Sequence, residues 1–298
     1  MSLAPIVLFV YNRPAHTQKT IEALLQNDLA ARSDLYIYAD GAKNDAAVKG
    51  VQEVRTYIRS IKGFNSLHII ESDKNRGLAE SVIRGVTEVV NKHGSVIVME
   101  DDLVTSPYFL TYMNKSLNLY EHDDQVISIH AYTYPIKLND VETFFLKGAD
   151  CWGWATWKRG WDLFEKNGQK LLDQIQAQNL SREFNFNNSY PYTQMLQKQI
   201  NGENDSWAIR WYASAFLKNC YTLYPAKSLV RNIGLDSSGT HSDSTGHYND
   251  EVLSDETFAQ INKIEVKENT EARKSFEAFF RKNTKVGLKQ RLINFLTR

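Results

Sequence analysis

The sequence is poor in the features that mark several classes of protein. It has two cysteines, Cys151 and Cys220, and their spacing fits neither a zinc site nor a dense disulfide framework. No apolar run approaches the roughly 18 residues of a membrane-spanning helix, and the N-terminus lacks the basic and apolar regions of a signal peptide. These absences predict a protein of a reducing compartment, the cytoplasm.

The chain also lacks an excess of charge of either sign. Its 298 residues include 35 Lys and Arg against 35 Asp and Glu, so the formal net charge is zero. A protein that binds nucleic acid normally carries a basic excess, so we expect no nucleic-acid partner. The length allows one large domain or two small ones.

Short apolar runs alternate with helical patterns along the first half of the chain. Runs of strand length cover residues 5–11, 34–40, 67–70, 95–99 and 126–130. Strands that are apolar throughout are buried on both faces, and their alternation with helices predicts an α/β fold with a mostly parallel central sheet between helices. In the second half, apolar spacing predicts helices near 169–179, 191–201 and 206–219, then a strand over 221–229.

Polar or small residues follow each of the first four predicted strands. They are Asn12 and Arg13, Asp40 and Gly41, residues 73–77, and Glu100 to Asp102. Ligands of such sheets bind beyond the carboxyl ends of the strands, so we expect these residues to form one site. The alternatives are local, because Asp40 before a glycine is typical of a turn, Gly77 of a helix start and Arg13 of a solvated position.

The stretch VIVMEDDL, residues 96–103, ends an apolar strand in three acids. Neighbouring residues of an extended chain point to opposite faces, so we expect Glu100 and Asp102 on one side and Asp101 on the other. Two carboxylates on one side suit a hard divalent cation and its bound phosphates. The alternative is a solvated helix start, because acids are favourable there and Ser106 with Pro107 predicts a helix.

These motifs resemble those of nucleotide-sugar-dependent glycosyltransferases with the GT-A fold. The matching segments are YADGAKN with Asp40, NRGLAESV with Asn75, Arg76 and Gly77, and MEDDL with Glu100, Asp101 and Asp102. The resemblance implies that these residues bind the nucleotide sugar, with Asp40 on the uracil or ribose. Asn12 and Arg13 are further candidates for nucleotide-sugar binding, because an arginine after the first strand can stack on or bond to a base. The E-D-D form is closest to the N-acetylglucosaminyltransferase I type, in which the last Asp contacts the metal. This implies that Asp102 holds Mn²⁺ or Mg²⁺.

The second half carries shorter matches to the same family. Cys151 to Trp154 is similar to its G-x-G-W acceptor-side segment. Trp152, Trp154 and Trp157 can each stack on a sugar face, and we expect one of them, with Trp154 as the candidate, to do so while the others pack in the core. Asp205 lies where the family has a D-x-W-like segment that supplies the catalytic base. The segment GTHS, residues 239–242, resembles the loop that closes over the diphosphate, which implies a metal or diphosphate contact for His241.

Each of these residues also has a structural alternative. Asp205 follows Asn204 before a helical pattern, so it can be a helix N-cap instead of a base, and Glu203 is then the reserve candidate. Most tryptophans pack in cores, so Trp154 can be a core residue. His241 can be a solvent-exposed histidine.

The resulting hypothesis is an inverting, metal-dependent glycosyltransferase that moves a sugar from a UDP-sugar to a glycan or lipid-linked saccharide in surface polysaccharide synthesis. Residues 1–135 would bind the nucleotide sugar, 136–250 would bind the acceptor, and 251–298 would form a helical basic tail. An inactive GT-A-like nucleotide- or glycan-binding module is the alternative. A sugar nucleotidyltransferase is disfavoured, because YNRPAH after the first strand has no glycine for a phosphate loop.

The tail over 278–298 has no acidic residue and alternates basic with apolar side chains. This pattern is typical of an amphipathic helix on an anionic membrane surface, here the inner face of the cell membrane. A C-terminal helix that docks its apolar face on the domain has the same pattern. Both alternatives stay open at this point.

Overall fold

The computed structural model of the protein describes residues 3–235, 253–255, 258 and 260–283. Its strands are β1 (Ile6–Val10), β2 (Asp34–Ala39), β3 (Ser66–Glu71), β4 (Ser95–Glu100), β5 (Leu103–Thr105), β6 (Val126–His130), β7 (Thr143–Lys147), β8 (Trp154–Trp157), β9 (Tyr221–Pro225) and β10 (Val230–Asn232). Eight of them form one sheet in the order β3-β2-β1-β4-β8-β6-β9-β7, and β5 pairs with β10 separately. Because only β7 and β8 run against the others, the predicted mostly parallel sheet is confirmed.

Helices cover both faces of this sheet. They are α1 (Pro14–Leu25), α2 (Asp45–Ser60), α3 (Leu78–His93), α4 (Phe109–Leu119), α5 (Lys158–Trp161), α6 (Gly168–Ala177), α7 (Ser181–Phe184), α8 (Tyr192–Ile200), α9 (Trp207–Leu217) and α10 (Thr270–Asn283). Helices α1, α2 and α4 share one apolar core with the sheet, and α3, α5 and α9 share another on the opposite face. The predicted α/β class is confirmed.

Strand β2 shows why the first strands are apolar throughout. Leu35 and Ile37 belong to the core under α1 and α2, while Tyr36 and Tyr38 belong to the core under α3. Alternate side chains of a strand point to opposite faces, and here both faces are covered. A continuous apolar run therefore satisfies both cores.

Helix ends follow local chemistry in three places. Asn44 caps α2, its side chain accepting a hydrogen bond from the Ala47 N–H at 3.2 Å. Helix α3 starts after Gly77 and stops at Gly94, which have φ of 81° and 82°. Glycine adopts this left-handed region without the clash of a Cβ atom. Ser206 caps α9.

Three predicted boundaries need correction. The sequence pattern predicts no strand in residues 151–161, which hold four of the six tryptophans, yet Trp154–Trp157 form β8, which inserts antiparallel between β4 and β6. The predicted strand over 221–229 ends at Pro225, and a separate strand, β10, then pairs with β5. Helix α4 begins at Phe109 instead of Ser106, because β5 takes up the chain after Asp102.

A third core holds the second half together. Phe144 of β7, Phe184 of α7 and Tyr212 of α9 pack with Phe276 and Phe280 of α10. Residues 278–283 of the predicted basic tail thus belong to a helix that packs on the domain, while residues 284–298 lie outside the described residues. Within the described part of the chain, no helix combines the length and apolarity needed to cross a membrane.

Candidate functional site

The sheet register brings the predicted polar segments to one edge. Strand β1 lies between β2 and β4, with Val10 opposite Ala39 and Phe9 opposite Glu100. The residues that follow these three parallel strands therefore leave the sheet side by side. This is the edge at which open α/β sheets bind ligands.

Arg13 links the two aspartates of the acidic stretch. Its Nη2 donates to Asp101 Oδ1 and, at 2.9 Å, to Asp102 Oδ2. The expectation that Asp101 points away from Asp102 was wrong. The chain leaves the extended conformation in a turn at these two residues, so the alternation of an extended strand no longer applies and both carboxylates reach one guanidinium.

Asp101 is the most buried of the three acids. Its side chain is 6% exposed, and its backbone carbonyl accepts a hydrogen bond from Thr20 Oγ1 at 2.9 Å. Burial raises the pKa of Asp101 to about 6, although the charge of Arg13 opposes the rise. Its Oδ2 is buried and has no hydrogen-bond partner among the described residues. Buried polar atoms are normally paired, so this oxygen keeps the capacity to accept a ligand.

Glu100 completes the acidic group at the end of β4. Burial, followed by the charges of Asp102 and Asp101, raises its pKa to about 8. Burial alone would lower the pKa of Arg13, but the two aspartates raise it above the ordinary arginine value. The cluster thus carries more potential negative charge than one guanidinium balances.

Oxygen ligands of this kind fit Mg²⁺ or Mn²⁺. The unpaired Asp101 Oδ2 and the carboxylate of Asp102 are the available donors. No group of three or more His, Cys, Asp or Glu is arranged around a metal position within the described residues. His241, the second predicted metal residue, lies outside the described residues.

Asp40 shapes the loop that precedes α3. Its two oxygens accept hydrogen bonds from Asn75 Nδ2 at 3.0 Å, from the Arg76 N–H at 2.9 and 3.1 Å, and from the Gly77 N–H at 2.9 Å. The Gly41 N–H adds another at 2.9 Å. The expected direct contact of Asp40 with uracil or ribose is therefore corrected: its oxygens are occupied by protein donors, and it holds the loop that faces the edge.

Asp205 lies beside this loop. A Cβ atom placed on Gly77 would be 3.9 Å from Asp205 Oδ2, so the predicted base sits at the start of α3. Its side chain is 70% exposed and pairs with Arg210 Nη2 at 3.5 Å. Because Ser206 accepts the capping hydrogen bond of α9, the N-cap alternative for Asp205 is excluded. Glu203 is exposed and accepts a hydrogen bond from Asn201.

Trp154 does not offer a face to a sugar. It is 0% exposed and packs against Trp161, Trp207 and Trp211, with ring centroids 5.5 to 5.7 Å apart. Its predicted sugar contact is therefore corrected to a core role. Trp152 is the partly exposed tryptophan of residues 151–161. Its ring packs edge-on against Tyr132, with the ring centroids 4.7 Å apart.

Asp150 was missed by the sequence reasoning. Its Oδ1 accepts the Cys151 N–H at 2.8 Å, and its Oδ2 lies 3.5 Å from the Tyr224 hydroxyl. The carboxylate is 27% exposed, and its charge adds to burial in raising the pKa of the tyrosines around it, Tyr134, Tyr192 and Tyr224. The sequence signal that could have indicated this site is the pairing of tyrosines at 132 and 134 and at 190 and 192.

Asp150 lies close to the acidic stretch. Strand β8 runs antiparallel to β4 with Trp154 opposite Val98, so the residues before β8 approach the end of β4. Burial raises the pKa of Cys151, and the charges of Asp150, Glu100 and Asp102 raise it further. The acids near Arg13 and Asp150 among its tyrosines thus share this edge.

An α/β sheet with carboxylates after its fourth strand and an ordered loop before its third helix is the arrangement predicted for a GT-A domain. Residues 6–188, more than half of the chain, match the sequence profile of glycosyl transferase family 2. The chain belongs to this family, and the predicted relation to GT-A glycosyltransferases is confirmed. The N-acetylglucosaminyltransferase I subtype stays a prediction. No curated protein matches the sequence.

Solved structures give distant likenesses. The mannosyltransferase PcManGT from Pyrobaculum calidifontis, in complex with GDP-Man and Mn²⁺, is 13% identical over 44% of this chain and 36% of its own, with a TM-score of 0.33. TarS from S. aureus, residues 1–349, is 11% identical over 50% and 41%, with a TM-score of 0.34.

A third likeness is glucosyl-3-phosphoglycerate synthase from Mycobacterium tuberculosis, in complex with Mn²⁺, UDP-Glc and phosphoglyceric acid. It is 12% identical over 55% of this chain and 58% of its own, with a TM-score of 0.32. The chain spans about a third to three fifths of the lengths of these three proteins. At these scores the likeness carries no information about individual site residues.

Proposed function

We propose that the protein transfers a sugar from a nucleoside diphosphate sugar to a hydroxyl of a glycan or lipid-linked saccharide, with inversion at the anomeric carbon. A UDP-sugar is the first donor to test, and surface polysaccharide synthesis is the proposed setting. One observation carries the proposal. In a chain of glycosyl transferase family 2, the ion-paired Asp101 and Asp102, the loop over 75–77 and Asp205 converge at the ligand-binding edge.

The donor would bind where the charges are. Asn12 and Arg13 follow β1, and the loop of Asn75, Arg76 and Gly77 is held in shape by Asp40. An arginine binds a base or a phosphate through several donors in one plane. In the proposal these side chains would contact the diphosphate, and Glu100 to Asp102 would lie beside it.

Asp102 and the free oxygen of Asp101 would hold a divalent cation, joined in the proposal by His241. When bound, such an ion neutralises the charge that develops on the departing diphosphate. Carboxylate oxygens are the donors that Mn²⁺ and Mg²⁺ share. Metal dependence is therefore part of the proposal, and Mn²⁺ is the first ion to test.

Asp205 would act as the general base. Its carboxylate takes the proton of the acceptor hydroxyl while that oxygen bonds to the anomeric carbon, and the bond from this carbon to the diphosphate oxygen breaks with its electron pair. The exposed side chain beside Gly77 is accessible to an acceptor. Arg210, at 3.5 Å, limits the directions that this carboxylate samples.

The surroundings of Asp150 favour a saccharide acceptor. Aromatic rings offer planes to the C–H faces of sugars, and a carboxylate accepts sugar hydroxyl protons. Asp150 lies among Tyr134, Tyr192 and Tyr224, with Trp152 close by in the chain. We therefore propose that the acceptor binds beside Asp150.

Membrane contact is proposed for residues 284–298, because residues 278–283 belong to α10, which packs on the domain. This segment would place the enzyme at the inner face of the membrane. Removing residues 284–298 should abolish sedimentation with vesicles of anionic lipid and leave nucleotide binding intact. Equal sedimentation of the full and the shortened chain would contradict the membrane contact and would leave the rest of the proposal intact.

The first test is calorimetric titration with UDP and a panel of UDP- and GDP-sugars, with and without Mn²⁺. Binding should require Mn²⁺, and Asp102→Asn should weaken it by roughly a hundredfold, because a close charge pair is lost. Asp162→Asn is the matched control, since Asp162 is exposed and pairs with Lys158. No nucleotide binding in the presence of Mn²⁺ would contradict the proposed donor.

A transfer assay separates an enzyme from a binding module. Release of the nucleoside diphosphate should depend on added glycan and should give a product of inverted configuration. A product that keeps the donor configuration would contradict inversion. Tight donor binding with no transfer to any glycan, and no hydrolysis, would favour the inactive module.

A further inference from the structure

Arg13 occupies the space between the two carboxylates that a divalent cation would use. One nitrogen, Nη2, pairs with Asp101 Oδ1 and with Asp102 Oδ2. The side chain of Arg13 is 20% exposed, and that of Asp102 is 14% exposed. This ion pair is therefore largely shielded from water, where charge interactions are stronger than at the surface.

The three side chains do not balance one another. Two carboxylates face one guanidinium, and Asp101 Oδ2 is buried without a hydrogen-bond partner in the described part of the chain. An excess of negative charge with a free buried oxygen accepts a second positive group. Space for that group is limited by Arg13 itself.

The chain after β10 closes the other side of this ion pair. The Ile233 N–H donates to the Asp102 carbonyl at 2.8 Å, and the Gly234 N–H donates to Asn232 Oδ1 at 2.8 Å. A Cβ atom on Gly234 would lie 2.9 Å from Arg13 Nη1 and would clash with Asp102 Oδ2. The guanidinium and an added cation therefore compete for the same oxygens in a confined place.

We propose that Arg13 is the resident counter-cation of this site and that a divalent cation binds only by displacing the Arg13 guanidinium from Asp101 and Asp102. The identity of the cation and of the nucleotide rests on the proposed function. Separating a shielded ion pair is costly unless each charge finds a new partner. A divalent cation alone therefore binds weakly.

A nucleoside diphosphate would lower this cost. Its phosphate oxygens accept the fork of donors of a guanidinium, so the displaced Arg13 regains a partner. Cation and nucleotide then strengthen each other's binding by the same factor, as linkage requires. Arg13 thus makes the site respond to the two ligands together.

The test is a titration with Mn²⁺ alone, with free Mn²⁺ measured by electron paramagnetic resonance. Arg13→Met removes the guanidinium and its charge and keeps an unbranched apolar side chain. It should bind Mn²⁺ about tenfold more tightly than the wild type, an effect between those of exposed and buried ion pairs. Arg84→Met is the matched control, because Arg84 pairs with Glu88 at 2.7 Å on α3 and should leave the affinity unchanged.

Equal or weaker Mn²⁺ binding by Arg13→Met would overturn the proposal, as would absence of Mn²⁺ binding in both proteins. Both titrations are then repeated at saturating UDP. UDP should raise the Mn²⁺ affinity of Arg13→Met less than it raises that of the wild type. Tighter Mn²⁺ binding by the variant together with no UDP binding by either protein would support the displacement and contradict the proposed donor. Failure of the displacement and failure of the proposed donor are thus distinguishable.

A measurement on the wild type covers the case in which Arg13→Met does not fold. The Nε–H signal of Arg13, assigned in arginine-labelled protein with Arg13→Lys as reference, should shift when Mg²⁺ is added. The signal of Arg84 should stay in place. An Arg13 signal that does not move at saturating Mg²⁺ would overturn the displacement.

Discussion

The two halves of the chain treat their carboxylates differently. In the proposed donor half, residues 3–135, Asp40 is covered by N–H donors of the loop before α3, and Asp101 and Asp102 are paired with Arg13. In the proposed acceptor half, residues 136–235, Asp150 and Asp205 are 27% and 70% exposed. The neighbours of Asp150 are mainly rings and hydroxyls.

We propose that this difference reflects what each half binds. A carboxylate paired with a protein cation or donor can exchange that partner for one on a charged ligand, which suits a nucleoside diphosphate and its cation. A partly exposed carboxylate among tyrosines, such as Asp150, suits a neutral saccharide, whose hydroxyls need acceptors and whose C–H faces need planes. The variants below change one carboxylate in each environment.

The largest effect is expected at the base. Asp205→Asn should lower kcat by about 10²–10⁴-fold, because the amide cannot take the acceptor proton, while the affinity for UDP with Mn²⁺ stays unchanged. The measurement is steady-state transfer with a saturating glycan, alongside calorimetry with UDP. An equal loss of UDP affinity would show that Asp205 acts on the donor instead.

Asp150→Asn is the matched variant on the same side. It should raise the KM for the glycan and leave kcat within about tenfold of the wild type, because an amide still hydrogen-bonds a hydroxyl. The opposite result is a large loss of kcat in Asp150→Asn together with nearly full activity of Asp205→Asn. It would make Asp150 the general base and Asp205 the acceptor-binding residue.

The next effect is on stability in the donor half. Asp40→Ala should lower the free energy of unfolding by about 3 kcal/mol, because it leaves the half-buried N–H donors of Arg76 and Gly77 without their acceptor. Urea unfolding measures this change. Asp45→Ala, at the exposed start of α2, is the control and should cost about 0.3–1 kcal/mol. Similar losses for both would remove the loop-holding role of Asp40.

The predictable part of the fold follows local rules. Strand β6 spans the predicted residues 126–130, and β1 to β4 lie within two residues of prediction, because an apolar run bounded by polar residues is read directly from the chain. The common edge of Asn12, Asp40 and Glu100 follows from parallel strands. A general property of such sheets therefore located the candidate site.

The unpredicted part depends on contacts between distant segments. The four-residue strand β8 forms because it pairs with β4 on one side and β6 on the other. No local sequence pattern specifies that pairing. The turn at Asp101 is held by Arg13 and Thr20 of another element. Asp150 becomes a candidate only when Tyr192 and Tyr224 surround it, which requires the folded second half.

The smallest predicted effect concerns pH and the buried His130. Its Nε2 accepts the Trp152 N–H at 3.1 Å, and Tyr224 packs edge-on against the ring. Burial lowers the pKa of His130, although Asp150, 4.0 Å away, opposes this. Below the ordinary histidine pKa of about 6.5, the unfolded chain therefore binds more protons than the folded one, and stability falls as the pH falls.

His130→Gln should flatten this acid dependence, because glutamine keeps an acceptor for the Trp152 N–H and binds no proton. The free energy of unfolding of the variant and the wild type should differ less at pH 5 than at pH 7, each pKa unit being worth about 1.4 kcal/mol. His122→Gln, at an exposed position, should keep the wild-type slope. Parallel pH profiles for wild type and His130→Gln would mean that Asp150 stabilises the protonated ring enough to cancel the cost of its burial, so that the acceptor half compensates charge internally as the donor half does.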